Sequence, residues 1–287
     1  MYRIGIIGKG FVGSAVAHGF SNSVGYQADI RVYDKEKNKS LNTLTEVLDT
    51  DYVFVSVPTP SNPDGSINLK ILEDCIEEIN QSLENTNSKS PIILIRSTIV
   101  PGTSERIQNK YKNLKIVFNP EFLTERSANF DFISQTRFIL GGEPENVEKV
   151  SELYKHRFGS SISIIETNFQ SAELIKYVCN NYFAMKVSFL NEMKLVSDAV
   201  NANWDDVIEG FLRDGRVGSS HTQVPGPDGK FGFGGSCFPK DIQAMINFSK
   251  SLNIVPNVLI GAWETNLSLR PEKDWEELKG RAIVDDD

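Results

Sequence analysis

Across its first 165 residues the chain alternates short apolar runs with amphipathic stretches, and few folds accommodate that pattern. The runs are 2–7, 28–33, 52–57, 92–96, 115–118, 138–140 and 161–165, rich in Val, Ile, Leu, Phe and Tyr. Helical patterns at 11–20, 69–83, 104–111 and 144–158 lie between most of them. Near-continuous apolar strands are what a sheet buried on both faces requires, and strand–helix alternation is the mark of βαβ units. The expected fold is therefore α/β, with an N-terminal doubly wound, Rossmann-type parallel sheet.

The pattern changes after residue 167. No Pro or Gly interrupts 168–202, and Leu174, Val178, Tyr182, Met185, Phe189, Met193 and Val196 recur at helical spacing. One helix of about 50 Å fits, longer than a domain is wide, so it links two domains or forms a dimer seam. A shorter helix over 204–213 follows. Gly and Pro crowd 215–235 into a loop, and helices resume at 240–252 and 258–269. We expect two domains: 1–166, binding a dinucleotide, and a smaller all-α domain over 167–287 that begins with the long helix. The polar stretch 85–90 reads as a surface turn and 285–287 as a solvated acidic tail.

The net charge of −8 and the scattered cations argue against a nucleic-acid partner. The three cysteines, an odd and low count, argue for a reducing compartment rather than a disulfide framework. No apolar run approaches the roughly 20 residues that span a bilayer, and residues 1–3 lead directly into a strand pattern, so a cytoplasmic protein with no membrane partner is expected.

Two constellations carry chemistry. The first is Gly8-Lys9-Gly10-Phe11-Val12-Gly13, a G-x-G-x-x-G between a strand and a helix. Its first glycine permits the turn, its second lets the backbone approach a pyrophosphate, and its third lets helix pack on strand. The helix start offers N–H groups to phosphate. The next strand ends in Asp34, 21 residues after Gly13. An acid there binds ribose hydroxyls and repels a 2′-phosphate, so NAD is expected over NADP, with Lys35 and Lys37 the only features to the contrary. Pro58-Thr59 and Ser97-Thr98 end two further strands at the same edge, where they contact the cofactor or simply make turns.

The second is the run from Gly232 to Asp241, Gly-Phe-Gly-Gly-Ser-Cys-Phe-Pro-Lys-Asp. Ser236 reads as an N-cap, placing Cys237 in a first helical turn where Pro239 is tolerated. A thiol at a helix N-terminus is acidified, and Lys240 nearby acts the same way. Asp241, four residues on, shares its face and can hold water or a hydroxyl beside the sulfur. Cys75 and Cys179, inside amphipathic patterns, read as core cysteines. Glu121 and Glu125 have i,i+4 spacing after Asn119-Pro120, where a helix would begin. Lys176 and Asn180 share a face of the long helix, as either site residues or an ordinary solvated face. No metal site is expected.

These segments together resemble the UDP-glucose/GDP-mannose dehydrogenase family. GKGFVG (8–13), VPTP (57–60), RSTIVPGT (96–103), NPEFLTE (119–125), AELIKYVCNNYFAMKVSFLNE (172–192) and GFGGSCFPKD (232–241) occur in family order over nearly the whole chain. The resemblance implies NAD-dependent oxidation of the C6 alcohol of a nucleotide sugar, UDP-glucose foremost, to a carboxylate. It makes Cys237 the nucleophile that carries a thiohemiacetal and then a thioester. Lys176 and Asn180 become the pair that steadies the oxyanion. Asp241 and Thr98 position water or assist proton transfer, Glu121 serves thioester hydrolysis, and Glu125 lies close to the nicotinamide. Glu121, Phe122, Leu123, Phe231, Gly232, Phe233, Gly234 and Gly235 line the substrate, Arg216 reaches the substrate of a partner subunit, and a homodimer forms through the long helix. Members of the family continue into a second Rossmann-like domain. This chain stops at Asp287, so that domain is expected to be absent, and extra residues are expected around His221 and 225–229. The alternatives are an NAD-binding module without catalysis and a β-hydroxyacid-type dehydrogenase, though the latter needs no cysteine.

Overall fold

The computed structural model describes residues 1–86 and 90–285. The turn expected at 85–90 and the acidic tail at 285–287 thus fall partly outside the described residues. Two compact units emerge, Met1–Thr59 with Leu69–Lys176, and Pro60–Asn68 with Tyr177–Asp287.

The first unit is a seven-stranded sheet in the order β2-β1-β3-β4-β5-β6-β7. Its strands are β1 (Arg3–Ile7), β2 (Asp29–Tyr33), β3 (Tyr52–Val55), β4 (Ile92–Ile95), β5 (Lys115–Phe118), β6 (Arg137–Gly142) and β7 (Ser163–Thr167). The first five are parallel. Each of the seven expected runs is a strand, and side chains from alternate positions bury into one core on each sheet face. β1 leads outward to β2 and the chain then returns to β3 on its other side, so the strand order reverses between β1 and β3. A crevice at such a reversal is where α/β sheets take ligands.

β6 runs antiparallel to β5, and β7 parallel to β6. The sequence reading did not anticipate this reversal. It places the end of β7 at the edge opposite the carboxyl ends of β1–β5, and α7 (Phe169–Ala199) starts there. A Cβ on Gly141 would lie 2.5 Å from the Ala172 Cβ and 2.8 Å from the Asn168 carbonyl, so the bare glycine lets the first turn of α7 cross β6 closely.

The helices of this unit are α1 (Phe11–Gly19), α2 (Leu44–Leu48), α3 (Lys70–Thr86), α4 (Thr103–Lys110), α5 (Ala128–Ile133) and α6 (Pro144–Phe158). The second unit holds most of α7, then α8 (Trp204–Leu212), α9 (Phe238–Ser251) and α10 (Asn257–Leu269). Its core gathers Ala184, Phe233, Ile242, Ile246 and Ala262. The chain near Ala282 bridges to Ser61, which ties the segment 60–68 into this unit.

Candidate active site

Five parallel strands bring the expected site residues of the first unit to one sheet edge. Gly8 follows β1 at φ +89°, and a Cβ there would meet the Ser56 carbonyl at 2.6 Å. A Cβ on Gly13 would lie 1.9 Å from the Gly8 carbonyl oxygen, so α1 can pack on the turn only through a glycine. Gly10 is different. It is the N-cap of α1, makes no side-chain cap bond, and a Cβ on it would meet no protein atom within 4 Å. The open space above Gly10, next to the N–H groups of Phe11 and Val12 at the helix start, fits a pyrophosphate. Asp34 follows β2. Its Oδ2 accepts from the Lys9 N–H at 2.6 Å and its Oδ1 from the Glu36 N–H at 2.8 Å. The carboxylate is thereby held against the glycine turn, and with Gly8, Val57 and Pro58 it lines a cavity of about 220 Å³. Lys35 is drawn to Glu78, at 3.5 Å.

The hydroxyls expected at the cofactor donate inside the protein. Thr59 Oγ1 gives its proton to the Thr98 carbonyl at 2.8 Å and Ser97 Oγ to the Val57 carbonyl at 2.6 Å. They tie the β3 and β4 loops together and leave only lone pairs for a ligand. Pro58 is exposed and Thr98 half-buried.

Glu121 and Lys176 form a buried pair, Nζ to Oε1 at 2.9 Å. The ammonium also donates to the Glu121 carbonyl at 2.6 Å, and Oε2 accepts from the Leu123 N–H at 2.7 Å. Here the expected helix start is corrected. Residues 119–124 are non-helical, and the Glu121 carbonyl accepts from Lys176 rather than from a helical N–H. Glu125 then opens a 3₁₀ turn, exposed, while Glu121 is buried. The two acids do not share a face. The Phe122 ring lies 5.2 Å from the Lys176 ammonium, within cation–π range.

The second unit holds the other cluster. Asn180 Nδ2 donates to Asp241 Oδ2 at 2.6 Å, and Lys240 Nζ to Asp241 Oδ1 at 2.6 Å. All three side chains are buried, Asp241 to 1 % exposure. Lys176 and Asn180 are therefore not a solvated face. The Lys240 ammonium is held on Asp241. The N-cap of α9 is Cys237 itself, not Ser236, and Ser236 Oγ lies 3.8 Å from the half-buried Sγ. The Asp241 N–H closes the first turn onto the Cys237 carbonyl at 2.8 Å.

The glycine loop is shaped by residues the sequence reading missed. Asn266, fully buried in α10, accepts the Phe233 N–H at 2.7 Å and returns a bond to its carbonyl at 3.0 Å. Asn191 accepts the Gly232 N–H at 3.0 Å. Gly232 has φ +69°, and a Cβ on Gly234 would strike the Arg270 guanidinium at 2.6 Å. Phe231 is half-buried and Gly235 exposed. An asparagine inside an apolar helical pattern is the one signal that could have flagged Asn266, since Asn disfavours helix interiors unless its amide is used. Arg216 is exposed and bonded to Asp214, Nε to Oδ1 at 2.9 Å. It lines a separate cavity of about 720 Å³ with Tyr182, Lys186, Phe189, Val258 and Thr265, and neither Cys237 nor the glycine loop is in that lining. His221, whose ring stacks on Phe183 at 4.3 Å, has its pKa pushed down by burial and then by Lys186.

Known proteins match this chain over most of its length. The NAD binding domain of the UDP-glucose/GDP-mannose dehydrogenase family matches residues 31–158 and that family's central domain matches residues 170–268. The UDP-glucose 6-dehydrogenase of Rickettsia typhi is 34% identical over 226 residues, 77% of this chain and 50% of its own length. The UDP-glucose 6-dehydrogenase AglM of Haloferax volcanii is 28% identical, over 99% of this chain and 73% of its own. Among solved structures, a UDP-glucose dehydrogenase from the hyperthermophilic archaeon Pyrobaculum islandicum superposes with a TM-score of 0.83 at 26% identity, covering 93% of this chain and 68% of that one. The chain spans about half the length of several curated relatives it matches.

Proposed function

Because the chain belongs to the UDP-glucose/GDP-mannose dehydrogenase family, we propose that it oxidises the C6 alcohol of a nucleotide sugar, UDP-glucose foremost, to a carboxylate with two NAD. The observation that carries this reading is the pair of buried polar clusters, Glu121–Lys176 and Asn180–Asp241–Lys240. Buried charge is costly to keep, and two such clusters are more than a dinucleotide-binding scaffold needs.

NAD supplies the hydride acceptor in both oxidations. The chain's own residues do the rest. Gly8, Gly10 and Gly13 make room for the pyrophosphate, and Asp34 takes the ribose hydroxyls. The first oxidation removes a hydride and a proton from the alcohol and leaves an aldehyde. Cys237 Sγ adds to that carbonyl and its proton passes to the oxygen, giving a thiohemiacetal. Loss of a second hydride and proton gives a thioester. Water then cleaves the C–S bond, releasing the acid and restoring the thiol. A cysteine thus permits two oxidations without release of the aldehyde. Lys176 and Asn180, one turn apart on α7, offer N–H groups to the oxyanion. Glu121, Asp241 and Thr98 handle water and protons in the hydrolysis.

We assign residues 1–166 to the NAD-binding domain and 167–287 to the helical domain. The apolar stripe Val178, Tyr182, Phe189 and Val196 on α7 is about half exposed, which supports a homodimer through that helix. None of the described helices is long and apolar enough to cross a membrane, and with three thiols and no described disulfide we place the protein in the cytoplasm.

The test is NADH formation from purified protein with NAD and UDP-, GDP- and TDP-sugars. Two NADH and an acid per UDP-glucose are expected, and Cys237→Ser should lose steady turnover. No NADH from any sugar, with normal NAD binding, would overturn the reading in favour of a binding module. One NADH and a carbonyl product would favour a hydroxyacid-type enzyme.

A further inference from the structure

The largest fully buried side chain is a cation, Arg96, at 1 % exposure. Nε and Nη2 have no hydrogen-bond partner, and among the described residues Arg96 forms no ion pair. The Phe132 ring, 5.7 Å from Cζ, gives partial compensation. A guanidinium stays charged at any pH a protein survives, and burying it without a counter-ion works against folding.

The guanidinium's bond to Asn119 shows what the charge is tied to, with the Tyr154 hydroxyl also within its reach. Nη1 donates to Asn119 Oδ1 at 2.5 Å, and the Tyr154 hydroxyl donates to the same oxygen at 2.5 Å. Asn119 Nδ2 donates to the Ile139 carbonyl and its backbone N–H to the Ile95 carbonyl, each at 2.9 Å. Asn119 is fully buried and so is held from β4, β6 and α6 at once. Pro120 follows, with φ fixed by its ring, and then Glu121. On its own strand Arg96 is followed directly by Ser97 and Thr98.

We propose that Arg96 is a positioning residue for the Glu121–Lys176 pair: its guanidinium fixes Asn119 and, through Pro120, the turn that carries Glu121. This rests on the reading of Glu121 and Lys176 as catalytic groups. Arg96 touches neither of them, so its action is through Asn119 alone. Tyr154 still satisfies Asn119 Oδ1 when the guanidinium is gone. Replacing Arg96 by an apolar side chain of similar length therefore strands no buried acceptor and removes a buried charge.

The decisive variant is Arg96→Met. The melting temperature should stay level or rise, because an unpaired buried charge is exchanged for a methionine against Phe132. The Kd for NAD should not change. The turn should loosen: the Leu123 amide, which donates to Glu121 Oε2 at 2.7 Å, should exchange with deuterium about tenfold faster, with Leu94 in β4 unaffected. With UDP-glucose, kcat should fall about tenfold. Tyr154→Phe, which keeps the Arg96–Asn119 bond, should leave Leu123 exchange and kcat close to wild type. A lower melting temperature with unchanged Leu123 exchange and unchanged kcat would make Arg96 merely structural and overturn the proposal. If the wild-type protein forms no NADH, the functional reading fails instead, and Leu123 exchange alone decides whether Arg96 fixes the turn.

Discussion

Asp241→Asn keeps the shape of the side chain and removes one charge, so it isolates what the buried cluster of the second unit depends on. Both Asp241 oxygens are engaged at 2.6 Å, one by Lys240 and one by Asn180. An amide offers a single acceptor oxygen. If it keeps Asn180, the Lys240 ammonium is left buried with no opposite charge. If it keeps Lys240, two amide NH₂ groups face each other. Losing one ordinary hydrogen bond costs about 1 kcal/mol, whereas breaking a buried ion pair from one side costs about 3–5 kcal/mol. At about 2.1 cal/mol/K of unfolding entropy per residue, the 287-residue chain should lose about 5–8 °C in melting temperature if it melts cooperatively. Lys240→Met removes the stranded charge. The double variant should therefore be more stable than Asp241→Asn alone by about 2 kcal/mol, and with Lys240→Met measured by itself the double-mutant cycle gives the coupling of the pair. Urea unfolding followed by tryptophan fluorescence suits the question, because Trp204, Trp263 and Trp275, the chain's three tryptophans, all lie in the unit that holds the cluster. A loss under about 1 kcal/mol, or a double variant no more stable than Asp241→Asn, would refute the argument from a desolvated pair.

The glycine turn separates two effects. Gly13→Ala forces a Cβ to 1.9 Å from the Gly8 oxygen and should destabilise the fold, whereas Gly10→Ala meets no protein atom and should melt like wild type while binding NAD about a hundredfold more weakly by calorimetry. Cys75 is buried and its pKa pushed up to about 12 by that burial. At pH 8 about one Cys75 in ten thousand is ionised, so iodoacetamide should label Cys237 in the folded protein and Cys75 only in urea, as peptide mass spectrometry would report. The sign follows from the raised value: the stability linked to Cys75 is intact below the free-thiol pKa of about 8.5 and is lost as pH rises towards 12. Tyr182→Asp on the exposed face of α7 should shift the sedimenting species from dimer to monomer with the far-ultraviolet circular dichroism unchanged; a wild-type monomer would remove the homodimer from the proposal.

Strands β1, β3, β4 and β5 were legible because each is an apolar run buried on both faces, and burial on both faces leaves that composition whatever else the chain does; the edge strand β2 buries only Val32. The direction of β6 was not, because an apolar run reads the same in a parallel and an antiparallel pair. Helices α2 and α5, of five and six residues, are too short for a 3.6-residue period to repeat. Glu121 shows a different limit. Its i,i+4 spacing with Glu125 is a helical signal that the local chain does not follow; the Glu121 carbonyl is bonded by a lysine 55 residues away. No local pattern records that bond. The same holds for Asn266 and Arg96, whose partners are distant in the chain, so residue type alone could raise the question and only the fold could answer it.

Helix α7 shows why a correct periodicity can still leave the buried face unnamed. Of the seven residues that announced the helix, Leu174, Val178, Tyr182, Phe189 and Val196 are exposed, Met193 is half-buried, and Met185 alone packs against the core of the second unit. The face buried within the chain is made of Tyr177, Asn181, Ala184, Ser188 and Asn191, spaced alternately by four and three residues. Much of it is polar because it does polar work: Ser188 Oγ donates to the Ala262 carbonyl at 2.7 Å, and Asn191 holds Gly232. A hydrophobic period finds the most apolar stripe, and on a helix with two faces of different chemistry that stripe need not be the one its own domain uses. The apolar stripe is then surplus to the fold of one chain, and a surplus of that size and regularity has a physical reason when a second copy of the helix covers it.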